Sequence, residues 1–130
     1  MSARLNHTIV WCSDKRRSAA FMAEMFAFPE PRDVFRFRVV QTANGVSLDF
    51  AEKEGPIAKQ HYAFLVGDEE FDAIMERIRD RGLRFWADPG RQREGEINHR
   101  FGGRGVYFPD PDDHLLEAIT QPYEVNQAND

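Results

Sequence analysis

The sequence predicts an α+β fold in which one strand–helix–strands unit is used twice. Three observations carry that expectation. HTIVWCSD (residues 7–14) and HYAFLVGD (61–68) write the same phrase, a histidine, an apolar run and an aspartate at matched spacing. Each phrase is followed by apolar residues at helical spacing. Each unit then closes on an apolar strand with an acid at its centre, SLDFA (47–51) and LLEAI (115–119).

Module one is expected over about residues 4–52. Residues 5–12, LNHTIVWC, are β-rich and alternate, so they read as a strand. Ser13 or Asp14 then offers a helix N-cap, and Ala19, Phe21, Met22, Met25 and Phe26 follow at helical spacing. Pro29 and Pro31 end that helix. Phe35, Phe37 and Val39 alternate with Arg36 and Arg38, and Asn44-Gly45 suits a two-residue hairpin turn. Antiparallel strands over 34–42 and 46–51 are therefore expected. The polar stretch 53–59 contains Gly55-Pro56 and reads as a linker.

Module two, about 60–121, repeats the order. HYAFLV reads as a strand, and Asp68 as the cap of a helix with Glu69 and Glu70 in its first turn, where the dipole favours negative charge. Phe71, Ile74, Met75 and Ile78 give that helix one apolar face, and Gly82 suits its C-terminal end. LRFWAD reads as a strand and RQREGEINHRFGG as a long polar excursion. RGVYFPD and HLLEAIT are two strands joined by a turn over Pro109 to Asp113, and residues 122–130 read as a frayed polar tail.

Composition narrows the function classes. The chain has 130 residues, 42% hydrophobic and 30% charged, the balance of a soluble globular protein. No apolar run approaches the roughly 18 residues of a membrane helix, and MSARLNH lacks the apolar core of a signal peptide. Cys12 is the single cysteine, which excludes an internal disulfide and a cysteine-rich zinc site and fits a reducing, cytoplasmic setting. A net charge of −5 argues against general nucleic-acid binding. Arg91, Arg93, Arg100 and Arg104, interspersed with Glu94 and Glu96, form a local basic run whose plain reading is a solvated loop.

The chemistry centres on the repeated histidines. Burying an imidazole without a partner costs about 1–3 kcal/mol, and a lone strand histidine is ordinarily hydrogen-bonded core. Duplication changes this, because pseudo-twofold packing brings matched residues of two units together. Asp49 and Glu117 occupy equivalent mid-strand places, where a carboxylate is costly unless paired, exposed or metal-bound. His7, His61 and Glu117 make the two-histidine, one-carboxylate set suited to a divalent metal with open positions. Asp49 is a fourth ligand or a proton-transfer base.

LNHTIVWCSD, HYAFLVGDEEFDAI and above all GGRGVYFPDPDDHLLEAIT resemble the vicinal oxygen chelate superfamily, which includes glyoxalase I, fosfomycin-resistance proteins, extradiol dioxygenases and bleomycin-resistance proteins. The resemblance spans residues 5–121, and the last stretch is similar to the family's aromatic–Asp-Pro-Asp-Gly-(His/Asn)–x–x–Glu signature. It implies paired βαβββ modules, each a curved sheet, around a metal-centred cavity. It also implies the ligand role for His7, His61 and Glu117, with Asp49 where some members place a fourth acid. The chain departs from the pattern at Asp113, which replaces the turn glycine and must tolerate a left-handed conformation. It departs also at Phe26-Ala27, where Leu-Gly is common, and at Phe21-Met22 in place of Phe-Tyr. Asp49 is one methylene shorter than glutamate, which favours three protein ligands over four.

Further candidates flank this set. Asn98, His99 and Arg104 suit a substrate-binding lid, with Arg104 pairing a carboxylate or phosphate, or are simply polar loop residues. Tyr62 and Tyr107 are candidate cavity donors, and Trp11 shares the face of His7 by alternation. His114 reads as a structural hydrogen-bonder and Cys12 as a small buried hydrophobe. The expected protein is a metal-dependent enzyme, with iron, nickel, zinc or manganese, acting on a small oxygen-bearing molecule by lyase, isomerase or dioxygenase chemistry. Neither nucleic acid nor membrane is an expected partner; a second copy, forming a homodimer, is. The competing expectation is a metal-free binding protein of the bleomycin-resistance type, a branch that generally lacks the full triad.

Overall fold

The computed structural model describes residues 2–123; the tail expected over 122–130 therefore falls mostly outside the described residues. The described chain divides into two compact units, residues 2–59 with 110–113, and 60–109 with 114–123.

In the first unit the order is β1 (His7–Cys12), α1 (Lys15–Phe26), β2 (Arg32–Val34), β3 (Phe37–Gln41) and β4 (Ser47–Glu52). Asp14 caps α1, its side chain accepting from the backbone N–H groups of Arg16 and Arg17. The helix ends one residue before Ala27, which adopts φ 55° and returns its N–H to the Ala23 carbonyl. The left-handed turn at Ala27, ahead of either proline, is thus the stop. The sheet runs β1-β4-β3-β2, with β1 and β4 parallel and the other pairs antiparallel. Alternation turns Val10, Cys12, Val40, Leu48 and Phe50 to the buried side, with Ala19, Met22, Ala23 and Phe26 of α1.

Two further local expectations change in this unit. The strand expected from residue 34 is two strands, because Val34 pairs with Phe37 around a tight turn. Phe35 occupies that turn at φ 54° and is 95% exposed, so its place in the alternating pattern was misleading. The Asn44-Gly45 turn has three residues rather than two: Thr42 N–H donates to Val46 O at 2.9 Å, and Gly45 takes φ 83°. That geometry is the common three-residue hairpin loop, in which the last residue is left-handed.

In the second unit the order is β5 (His61–Leu65), α2 (Asp68–Asp80), β6 (Gly105–Pro109) and β7 (Leu115–Ile119), with sheet order β5-β7-β6. Asp68 begins α2 but Gly67 is its N-cap, and the Glu70 side chain accepts from the Gly67 N–H at 3.2 Å. Gly82 follows the C-cap at φ 63°, as expected. Phe71, Ile74, Met75 and Ile78 are buried, as are Val106, Phe108, Leu116 and Ala118 on alternating strand positions. LRFWAD is not a strand. Trp86 alone bridges Tyr107, exchanging both backbone bonds at 2.9 Å, while its neighbours turn back on the excursion: Ala87 N–H to Arg93 O, Gly95 N–H to Phe85 O. The Asp88 carboxylate accepts from the N–H groups of Gln92 and Arg93 and holds that turn. A third strand is thus reduced to one bridge, at the place β2 occupies beside β3.

The β6–β7 turn behaves as its sequence required. Asp113 takes φ 66°, and Asp112 accepts from Ser13 N–H at 3.1 Å and from the buried Ser18 hydroxyl at 3.2 Å. Cys12 is wholly buried, and burial, then the charges of Asp112 and Glu52, push its thiol up to about 12. It is an inert core residue.

Ala27 carries a Cβ in a conformation that glycine adopts without penalty. Ala27→Gly should therefore raise stability by about 1 kcal/mol, read as a higher denaturation midpoint with an unchanged slope.

Candidate metal centre

In the second unit β5 and β7 run parallel with Ala63 opposite Glu117. His61, two residues before Ala63, shares its face and therefore that of Glu117. His61 Nε2 lies 3.0 Å from Glu117 Oε1, and His61 Nδ1 lies 3.0 Å from the Leu115 carbonyl oxygen. A carbonyl only accepts, so Nδ1 carries the ring proton. In the neutral ring Nε2 then presents its lone pair to a carboxylate oxygen, and only a shared cation, a proton or a metal ion, makes that contact favourable.

The pair fits a metal on donor chemistry and on spacing. Imidazole nitrogen and carboxylate oxygen bind divalent metals at about 2.0–2.2 Å, so two donors at right angles stand about 3.0 Å apart. A ring N–H held by a backbone carbonyl is the usual outer-shell partner of a metal-binding histidine. The side chains are 47% and 13% exposed, His61 facing solvent and Glu117 set deeper. Among the described residues no group of three or more His, Cys, Asp and Glu side chains is arranged to hold a metal; this pair supplies two donors.

Tyr107 of β6 stands directly opposite Glu117 on its other side. Its ring stacks on that of His61, with centroids 5.8 Å apart and planes at 25°. Burial, then the charge of Glu117 and the hydrogen bond donated to it, push the phenol up to about 12, so Tyr107 stays a proton donor at working pH. Arg100 Nη1 donates to the Tyr107 hydroxyl at 3.3 Å.

The first unit repeats the register. Ile9 stands opposite Asp49 on parallel strands as Ala63 does opposite Glu117, which puts His7 and Asp49 on one face. Asp49 is buried, whereas His7 is exposed and its Nδ1 lies 2.7 Å from Asn6 Oδ1. Trp11 shares that face and is 41% exposed.

The other expected site residues fall elsewhere. Tyr62 takes the opposite face of β5 from His61, its ring edge-on to His114 at 5.8 Å; strict alternation already required this. His114 is fully buried and accepts from Gln60 N–H at 3.0 Å, the structural role expected of it. Arg104 is committed to α2, donating to Asp72 Oδ1 at 2.7 Å and to Asp68 Oδ1 at 3.1 Å over the Phe71 ring. Asn98 is a buried loop anchor: Nδ2 donates to Ala87 O at 2.8 Å, Oδ1 accepts from Arg100 N–H at 3.2 Å, and its backbone pairs with Gly105. A Cβ at Gly105 would stand 2.8 Å from Asn98 Oδ1, which explains the glycine. His99 is exposed on the loop. Arg100, which no motif singles out, reaches the edge of this group through Tyr107; the surplus of arginine over glutamate in its segment is the one signal in the sequence.

With this geometry in place, the comparisons with known proteins give the class. The family model described as Glyoxalase/Bleomycin resistance protein/Dioxygenase superfamily matches residues 4–118, and the chain belongs to that superfamily. Among particular proteins, it is 56% identical to the solved structure of Oxidase ChaP-H1, with TM-score 0.92 over 94% of this chain and 98% of that one. It is 50% identical to Oxidase ChaP-H2, with TM-score 0.93 over 95% of this chain and 97% of that one. Metallothiol transferase FosB of Shouchella clausii (strain KSM-K16) is 28% identical over 121 residues, 89% of this chain and 79% of that protein.

Asn98→Ala should strip Ala87 O and Arg100 N–H of their partner, costing about 1–3 kcal/mol. Limited proteolysis should then cut between residues 88 and 104 faster than in the parent protein.

Proposed function

We propose that this protein is a divalent-metal-dependent oxidase acting on a small oxygen-bearing molecule, with dioxygen as the oxidant and His7, His61 and Glu117 as metal ligands. The observation that carries the reading is the His61–Glu117 pair, whose facing lone pair and carboxylate oxygen at 3.0 Å call for a cation. Its choice of chemistry is supported by the 56% and 50% identity to two proteins named oxidases. The metal, when bound, supplies Lewis acidity and open positions for neighbouring oxygens of the substrate; iron is the ion this reading favours, ahead of manganese, nickel or zinc.

The residues of the chain have separate tasks. Leu115 O holds the ring proton of His61 on Nδ1, so that Nε2 is left to bind. Tyr107, protonated throughout the working range, offers a donor beside Glu117 that can be lent to a substrate oxygen. Asp49 serves as the base rather than as a fourth ligand: it stands on the face of His7, buried and one methylene shorter than Glu117. Trp11, half-exposed on the same face, offers an apolar wall to the substrate.

His7 joins the site from a second copy in a homodimer. The support is exposure: His7, His61, Trp11 and Leu65 all lie uncovered on the ligand-bearing faces of β1 and β5, and exposed apolar surface of that kind marks an interaction site. The lone buried thiol of Cys12 fits the cytoplasm, and no helix of the described residues is long and apolar enough to cross a membrane.

Protein loaded with Fe(II), Mn(II), Ni(II) or Zn(II) and freed of excess should retain about one ion per chain by elemental analysis. His61→Ala and Glu117→Gln should each weaken binding by more than the roughly 10- to 100-fold of an outer-shell change, and abolish substrate-dependent oxygen uptake. Failure of the parent protein to retain any of these ions would sink the metal reading in favour of metal-free ligand sequestration. Mixed after unfolding and refolding together, His7→Ala and His61→Ala chains should regain about a quarter of parental activity, because each mixed dimer holds one intact site. No regain would place all three ligands on one chain.

A further inference from the structure

We infer that Arg100, on the excursion between α2 and β6, is a positioning residue that orients Glu117 toward the metal through the hydroxyl of Tyr107. The inference rests on the metal reading above and adds a residue to it. Arg100 Nη1 donates to the Tyr107 oxygen at 3.3 Å. A hydroxyl that accepts from a guanidinium must aim its own hydrogen elsewhere, and Glu117 is the cross-strand neighbour of Tyr107. A hydroxyl hydrogen aimed across the strands at Glu117 takes one carboxylate oxygen and leaves Oε1 to His61 Nε2, 3.0 Å away. The stacked rings of Tyr107 and His61 keep both partners of Glu117 in one layer.

Two further observations show that the loop is built to deliver Arg100. The residue after it, Phe101, is a non-glycine at φ 55° and ψ 28°, a conformation that bulky residues hold only where their surroundings impose it. The residue two before it, Asn98, is buried, pins the Arg100 N–H, and is itself seated by the close approach of Gly105. Arg100 also differs from its neighbours in the same basic run. Arg93 pairs with Glu96 and Arg104 with Asp68 and Asp72, whereas Arg100 spends its hydrogen bond on a neutral phenol beside the metal pair.

The test uses Co(II) as the probe, bound by the full chain and followed by its visible d–d bands and by competition with a chelator. Arg100→Met should fold with a melting point close to the parent's, weaken Co(II) binding about 5-fold, below the range of a direct outer-shell partner, and shift the bands. Tyr107→Phe should do the same or more. The double variant should be no worse than Tyr107→Phe alone, because both changes cut one chain of contacts. Arg100→Lys, which keeps one donor, should recover most of the affinity. Parental affinity and bands in Arg100→Met would overturn the inference, as would losses that simply add in the double variant. Absence of Co(II) uptake by the parent protein would instead remove the metal reading itself, and this inference with it.

Discussion

The rest of the site depends on one contact, the 3.0 Å approach of His61 Nε2 to Glu117 Oε1. It is set by strand register before side-chain choice enters. Parallel pairing of β5 with β7 puts Ala63 beside Glu117, and alternation then returns His61 to the same face. The Leu115 carbonyl fixes the tautomer from the same strand that carries the carboxylate. A one-residue slip between these strands would turn Glu117 into the core and bring Leu116 and Ala118, now buried, out to the face of His61, so the register is held by the cost of burying the charge and exposing the apolar pair.

The same register recurs in the first unit, yet the outcome differs. Ile9 and Asp49 are paired as Ala63 and Glu117 are. Each unit is thus a platform with a histidine and an acid on one face. The platforms diverged through small changes: a shorter acid, and an asparagine before the first histidine that takes its Nδ1 at 2.7 Å. In the second unit Tyr107 stands opposite the carboxylate and stacks on the histidine ring. The chemical asymmetry of the two halves follows from these neighbours, since their backbone pairing is alike.

The excursion between α2 and β6 shows how one basic segment divides its work. Two of its arginines meet carboxylates, Arg93 with Glu96 and Arg104 with α2, and such exposed pairs contribute little stability. Arg91 and Arg84 lie over the Trp86 ring at 4.9 and 5.2 Å and cover the single bridge that replaces a strand. Asn98 and Gly105 tie the loop back to β6. What looks in sequence like a uniform polar stretch is a scaffold with separate anchoring points.

Periodicity alone determined most of the elements. Alternation in HTIVWC and HYAFL, the i, i+3, i+4, i+7 spacing of Phe71, Ile74, Met75 and Ile78, and the helix cap at Asp14 are local properties, and the structure follows them. The matched places of His7 with His61 and of Asp49 with Glu117 were legible for the same reason, since a duplicated unit repeats its register. Local pattern failed where a distant partner decided the outcome. Phe35 alternated like a strand residue but became a turn tip, because Val34 found Phe37. Trp86 sat in a β-rich run but kept only isolated bridges, to Tyr107 and Glu94, because Asp88 folded its neighbours onto Arg93. Arg104 and Arg100 are indistinguishable by residue type, and only tertiary contacts sent one to Asp72 and the other to Tyr107. Local spacing settles which residues share a face; which of them meet is settled by the folded chain, because hydrogen bonds and ion pairs between distant segments depend on positions that no local spacing encodes.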